Sequence, residues 1–242
     1  MVFSDDHPGY SLVAERSGIN LYSERSLHDQ VKRFLAGPGD RIEAAVDGRV
    51  VDLLKADGEI VEVQTRNLAA LVPKARALSA AGRRVRIVHP VPELLRIQRK
   101  DPESGEVVSS RKSPKRGDLW SVFDELVKAS ALIGMPGISV EVLLVHVTEI
   151  RVRDGTGSWR RRGDRTEDRI LDAVVGGGRW GTSDEWLSLI PAGLPPPWTS
   201  ESFGAAAGIP APRARKALYC LSRAGLLVET GRSGRRKLYD QA

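Results

Sequence analysis

Three short apolar runs, Ile42 to Val46, Val50 to Leu54 and Ile60 to Thr65, are separated only by Asp47-Gly48 and Asp57-Gly58. Asp-Gly between such runs is the strongest short hairpin signal, because both residues tolerate the positive φ of a tight turn. The segment therefore reads as a three-strand antiparallel meander, and the rest of the chain has to be built around a sheet.

Ahead of the meander, from Glu24 to about Leu35, the residues Leu27, Val31, Phe34 and Leu35 recur at helical spacing, and Gly37-Pro38-Gly39 stops the helix. Behind it, a second helix is expected from about Leu68 to Ala80, with Leu71, Ala75 and Leu78 on one face and Gly82 at its end. Val85 to Val88 reads as a buried strand. A further helix near Leu119 to Leu132 and a β-rich run from Ser139 to Val147 extend the pattern, while the polar, charged stretch Arg96 to Gly117 reads as a mobile hairpin or loop. Gly176-Gly177-Gly178 and the Pro191 to Pro197 segment look like linkers. A larger domain over 1–175 and a smaller one over 176–242 follow from that reading.

Within the meander, Asp52 and Glu62 carry the chemistry of interest. Glu62 and Gln64 are two apart on one strand and share a face, with Val61 and Val63 turned the other way. Where Asp52 points depends on the turn. A two-residue loop at Asp57-Gly58 sends the two carboxylates to opposite sides of the sheet. A three-residue loop, with Gly58 in the left-handed position, pairs Lys55 with Glu59 and Asp52 with Glu62. The second form is expected, with the Cβ atoms roughly 4.5–5.5 Å apart and able to share one ion.

The order helix, meander, helix, strand, with Asp52 and Glu62-Val63-Gln64 at these positions, resembles the PD-(D/E)xK nuclease superfamily. The resemblance implies a restriction-endonuclease-like α/β fold, a mixed sheet flanked by helices, and a metal-dependent DNA endonuclease active in restriction, defence or repair. It further implies Mg²⁺ or Mn²⁺ held by Asp52 and Glu62, with Gln64 standing where most members carry lysine. By analogy with related resolvases, Glu24 adds a ligand, and His28, one helical turn away, shuttles a proton or touches phosphate.

After Trp198-Thr199 come a short helical segment through Ala207, a helix from about Pro212 to Ala224 with an Ala214, Ala217, Leu218, Leu221 stripe, and two β-like runs around Gly231-Arg232-Ser233-Gly234. This succession resembles a winged helix-turn-helix. The resemblance implies a DNA-binding role for Arg213 and Lys216 on the helix and for Arg232, Arg235, Arg236 and Lys237 on the wing. Along its whole length the chain also resembles a bacterial family that pairs the same two domains.

The charge balance agrees with a polyanionic partner. There are 37 Lys and Arg against 31 Asp and Glu, a net charge of +6, and the cations cluster at Arg111 to Arg116, Arg160 to Arg165, Arg213 to Lys216 and Arg232 to Lys237. In the first of these, Arg111, Lys112, Lys115 and Arg116 are expected to meet phosphates. Cys220 is the single cysteine, so no intrachain disulfide forms and no zinc set exists. With no signal-like start and no apolar run of membrane length, a cytoplasmic protein without a membrane partner is expected. A homodimer is the natural state for cutting both strands. The alternative is a DNA-binding regulator that keeps the nuclease scaffold without catalysis, and a third reading is a docking protein that uses its winged helix.

Overall fold

The computed structural model describes residues 27–156 and 163–242. Helix α1 (Leu27–Leu35) leads into β1 (Arg41–Val46), β2 (Arg49–Leu54) and β3 (Ile60–Val63), and helix α2 (Val72–Ala80) follows a 3-10 turn. Strand β4 (Val85–Lys100) folds back as β5 (Val107–Lys112), and the short helix α3 (Phe123–Leu126), flanked by 3-10 turns, precedes β6 (Ile138–Arg153) and β7 (Asp164–Trp180). Seven strands form one mixed sheet in the order β1-β2-β3-β4-β6-β7, with β5 beside β4. The β3–β4 and β4–β6 pairs are parallel and the others antiparallel.

Two apolar layers cover the sheet. On one face, Leu53, Val61, Val63, Leu143, Val145 and Val147 bury the α1 residues Leu27 and Val31. On the other, Ile60, Ile87, Val140 and Val142 bury Ala75 and Leu78 of α2, together with Trp120 and Phe123. Each fully buried aliphatic side chain contributes roughly 1.5–3 kcal/mol. Phe34, expected on the inner stripe of α1, is 44% exposed, while Leu27, Val31 and the half-buried Leu35 pack against the sheet.

The second layer continues without a break into the C-terminal elements α4 (Ser183–Leu187), α5 (Ser200–Ala207), α6 (Ala211–Arg223), β8 (Leu227–Ser233) and β9 (Arg236–Gln241). Trp120 meets Phe203 edge to face at 5.8 Å, and Phe123 meets Trp186 at 6.1 Å. The stripe Ala214, Ala217, Leu218 and Leu221 is buried, as its spacing predicts, and Gly225 ends the helix at φ 78°.

The boundary expected at 175/176 falls inside β7. Gly176, Gly177 and Gly178 pair with Leu144, Leu143 and Val142, and a Cβ on Gly177 would lie 2.5 Å from the Val142 carbonyl oxygen. These glycines permit close strand approach and form no linker. The Pro191 to Pro197 stretch is an irregular connector, after which Trp198 bridges to Tyr239 of β9. Among the described residues, no helix is long and apolar enough to cross a membrane.

Candidate functional site

The β2–β3 turn is the three-residue form. Gly58 adopts φ 83°, its N–H donates to the Lys55 carbonyl at 2.9 Å, and the Lys55 N–H donates to the Glu59 carbonyl at 2.9 Å. The register Leu53 to Val61 and Leu54 to Ile60 continues to Asp52 opposite Glu62. One feature was not legible: β2 twists at Asp52. Val51 joins the α2 layer and Leu53 the α1 layer, which simple alternation forbids, and the facing residue Glu43 of β1 sits at φ 53°.

The twist turns the two carboxylates toward different helices. Asp52 Oδ2 accepts the Val63 N–H at 2.8 Å and bonds His28 Nε2 of α1 at 3.1 Å. Burial works to raise the Asp52 pKa, but the bonds from His28 and Val63 outweigh it and the carboxyl is held below its ordinary value. The same bond from Asp52 raises the pKa of His28. Lys32, one turn beyond His28 and 3% exposed, pairs with Glu43 at 2.9 Å and adds positive potential at Asp52.

Glu62 looks to α2. Its Oε1 lies 2.6 Å from Lys74 Nζ, and Lys74 also donates to the Val50 carbonyl at 2.7 Å. Burial pushes the Glu62 carboxyl above its ordinary value despite that ammonium, and the Asp52 charge adds to the rise. At that distance the Lys74 ammonium occupies the buried Glu62 Oε1. Lys74 opens onto a shallow groove lined by Arg49, Val50, Ala70 and Pro73.

Gln64 shares the Glu62 face, but its side-chain amide folds back to donate to the Arg66 carbonyl at 2.5 Å. Its own carbonyl bonds His89 Nδ1 at 2.7 Å, and burial lowers the His89 pKa. Glu24 lies outside the described residues. Among the described residues, no three or more His, Cys, Asp or Glu side chains converge in a way that holds a metal ion. The two carboxylates expected to share one ion do not converge: Asp52 is held on the α1 side of the sheet and Glu62 on the α2 side, because β2 twists between Val51 and Leu53.

Sequence reasoning missed Lys74 and Lys32. Each carried a signal: Lys32 follows His28 by one helical turn, and Lys74 flanks the inward Leu71, Ala75, Leu78 stripe.

The expected phosphate-contacting cations divide into groups. Lys112, Arg111 and Lys115 are exposed and make no ion pair among the described residues, whereas Arg116 lies 3.5 Å from Glu93. The Arg160 to Arg165 cluster falls largely on the residues left undescribed. On α6, Arg213 and Lys216 do not face freely outward: they pair with Asp118 at 2.6 Å and Asp124 at 2.7 Å, because that side of the helix docks beside α3. The exposed stripe of α6 is instead Arg215, Tyr219 and Arg223. On the hairpin, Lys237 and Arg232 share Glu229, Arg236 meets Glu201, and Arg235 has no ion pair among the described residues.

Residues 25–178 match the family described as "Domain of unknown function (DUF8091)". A protein of Treponema pallidum (strain Nichols), titled "Uncharacterized protein", is 29% identical over 222 residues, which is 91% of this chain and 86% of the relative. So long a match takes in the C-terminal elements as well as the sheet. No solved structure matches the chain.

Proposed function

Because the chain belongs to the DUF8091 family, whose description states no activity, its chemistry has to be read from the site, and we propose a metal-dependent DNA endonuclease that hydrolyses phosphodiester bonds. The observation that carries this reading is Lys74 Nζ 2.6 Å from Glu62 Oε1. The sequence lacks the strand lysine of the PD-(D/E)xK pattern, and Lys74 supplies from helix α2 the positive charge that Gln64 cannot.

In this reading Asp52, Glu62 and Glu24 would hold Mg²⁺ or Mn²⁺, which requires Glu62 to turn from the Lys74 side to the Asp52 side. Such an ion would supply a water of lowered pKa and positive charge beside the phosphate. Lys74 stabilises negative charge that develops on the phosphoryl oxygens. His28 holds Asp52 through Nε2 and is placed to take up a proton. Gln64 orients the attacking water once its amide leaves the Arg66 carbonyl.

The element order α1, β1–β3, α2, β4 supports a restriction-endonuclease-like core. Helices α5 and α6 followed by the β8–β9 hairpin, with Trp198 bridging to β9, support a winged helix-turn-helix, whose DNA contacts fall to Arg215, Tyr219, Arg223 and Arg235. A cytoplasmic protein acting on DNA in restriction, defence or repair, as a dimer where both strands are cut, completes the proposal.

One observation favours the alternative, a non-catalytic DNA-binding regulator. Each carboxylate already has a side chain of the protein bonded to it, His28 at Asp52 and Lys74 at Glu62. Replacing Lys74 separates the two readings. In the nuclease, Lys74→Met lowers Mg²⁺-dependent cleavage on the order of a hundredfold, Lys74→Arg restores part of it, and DNA affinity holds. Equal cleavage by wild type and Lys74→Met removes Lys74 from the mechanism.

A further inference from the structure

We propose that Gln30 is a positioning residue for the candidate site: its side-chain amide grips the main chain of β7 and so fixes α1 at the rotation that brings His28 to Asp52. Its effect on cleavage rests on the nuclease reading, whereas the link from β7 through α1 to Asp52 does not.

Helix α1 lies on the sheet along a narrow stripe. Leu27 and Val31 are buried and Leu35 packs half-buried behind them, about one apolar side chain per turn of 3.6 residues. Burial of such a stripe is non-directional, so it presses the helix onto the sheet without setting its roll. At about 100° per residue, His28 and Lys32 stand on one flank of the stripe and Gln30 on the other. Directional bonds hold the helix from both sides. On the first flank, His28 Nε2 bonds Asp52 at 3.1 Å and Lys32 Nζ donates to Glu43 at 2.9 Å, and at the helix end Lys55 Nζ donates to the Leu35 carbonyl at 2.9 Å. On the second, Gln30 Nε2 donates to the Arg169 carbonyl and Gln30 Oε1 accepts the Leu171 N–H, each at 2.8 Å.

Strand β7 ends the sheet on one side, and a carbonyl and an N–H two residues apart on its open edge are groups that a further strand would engage. Gln30 takes both with one side chain. A primary amide donates and accepts at a single uncharged tip; a glutamate would set a second acceptor against the Arg169 carbonyl, and an asparagine stops one methylene short. The stretch of β7 that Gln30 holds is itself fastened to β6, since Arg169 bonds Glu149, 1% exposed, at 2.9 Å, and Leu171 packs into the α1 layer. Gln30 thus refers α1 to a fixed strand at one end of the sheet, while His28 meets β2, next to last at the other end.

The test uses the full chain and two variants, Gln30→Met, which keeps the volume and removes both bonds, and Gln30→Asn, a milder change that withdraws the amide. Hydrogen exchange of the Leu171 amide is expected to speed up about tenfold or more in Gln30→Met, because that N–H loses its partner on an open edge. At one fixed pH, the His28 ring-nitrogen NMR signal is expected to move, in both variants, toward the position it takes in Asp52→Asn. DNA cleavage in Mg²⁺ is expected to fall on the order of tenfold in kcat with KM unchanged, since misplacing a catalytic group costs rate rather than binding. Faster exchange at Leu171 with an unmoved His28 signal overturns the positioning role, and so does a KM that rises while kcat holds. Unchanged exchange at Leu171 in Gln30→Met overturns the grip itself. A His28 signal that moves in the variants of a wild type that cleaves nothing upholds the link and overturns the nuclease reading instead.

Discussion

Two of the buried-charge clusters on the sheet are built differently. Near the start of β4, Glu59, Arg86, Glu141 and Arg179 form a ladder across neighbouring strands: Arg86 contacts Glu59 and Glu141, each at 3.1 Å, and Arg179 also bonds Glu59 and the Ser139 hydroxyl. Two carboxylates meet two guanidiniums, all but Glu59 on strands whose register fixes them. At Asp52 and Glu62 the cations come from helices instead, His28 and Lys32 from α1 and Lys74 from α2. In the ladder the Arg86 guanidinium bonds Glu141 as well as Glu59, while Glu62 keeps a carboxyl that burial pushes upward. The ladder joins its charges strand to strand, whereas Asp52 and Glu62 are each met by a separate helix.

Breaking the ladder should produce the largest effect. Arg86→Met leaves Glu59 and Glu141 buried without a shared partner, which costs roughly 3–5 kcal/mol and should appear as an early midpoint in denaturant unfolding. A loss below about 1 kcal/mol would make the ladder no different from the site.

The site should respond in the opposite sense. The folded pKa of Glu62 is raised above the unfolded 4.5, so its favourable contribution is present below pH 4.5 and is lost as pH rises through the folded value. At neutral pH its carboxylate opposes folding. Glu62→Gln is therefore expected to raise stability by roughly 1 kcal/mol while abolishing cleavage, and a destabilised variant would put Glu62 among the structural charges.

His28 gives a smaller, pH-dependent signature. Its folded pKa is raised above 6.5, so its pairing with Asp52 stabilises fully below pH 6.5 and fades as pH rises through the raised value. With both side chains partly exposed, the effect is roughly 0.5 kcal/mol. Melting curves of His28→Gln between pH 6 and 9 should lack the decline that wild type shows, and parallel curves would deny the pair.

Gln64→Lys should have the mildest effect, preserving or raising cleavage, because Lys74 already supplies the charge. A loss of activity would show that Gln64 itself has a role that lysine cannot fill.

Much of this contrast was legible in the sequence. The Asp57-Gly58 turn set the register that opposes Asp52 to Glu62, and Pro212 and Gly225 bounded α6. What escaped depends on tertiary contact. Gly176 to Gly178 resemble a linker until Val142 of β6 is seen crowding Gly177. Arg213 and Lys216 look like outward cations until Asp118 and Asp124 are placed beside them, residues about ninety positions earlier in the chain.

The most direct test of the helix-fed site as a metal-dependent nuclease centre is cleavage of duplex, single-stranded and branched DNA in Mg²⁺ or Mn²⁺ by wild type, Asp52→Ala and Glu62→Ala in parallel, with DNA affinity measured on the same samples. The account predicts metal-dependent cleavage by wild type, its loss in both variants, and affinity largely unchanged, because phosphate contacts elsewhere carry the binding. Undiminished cleavage by both variants, or no cleavage of any substrate by a wild type that binds DNA, would contradict it.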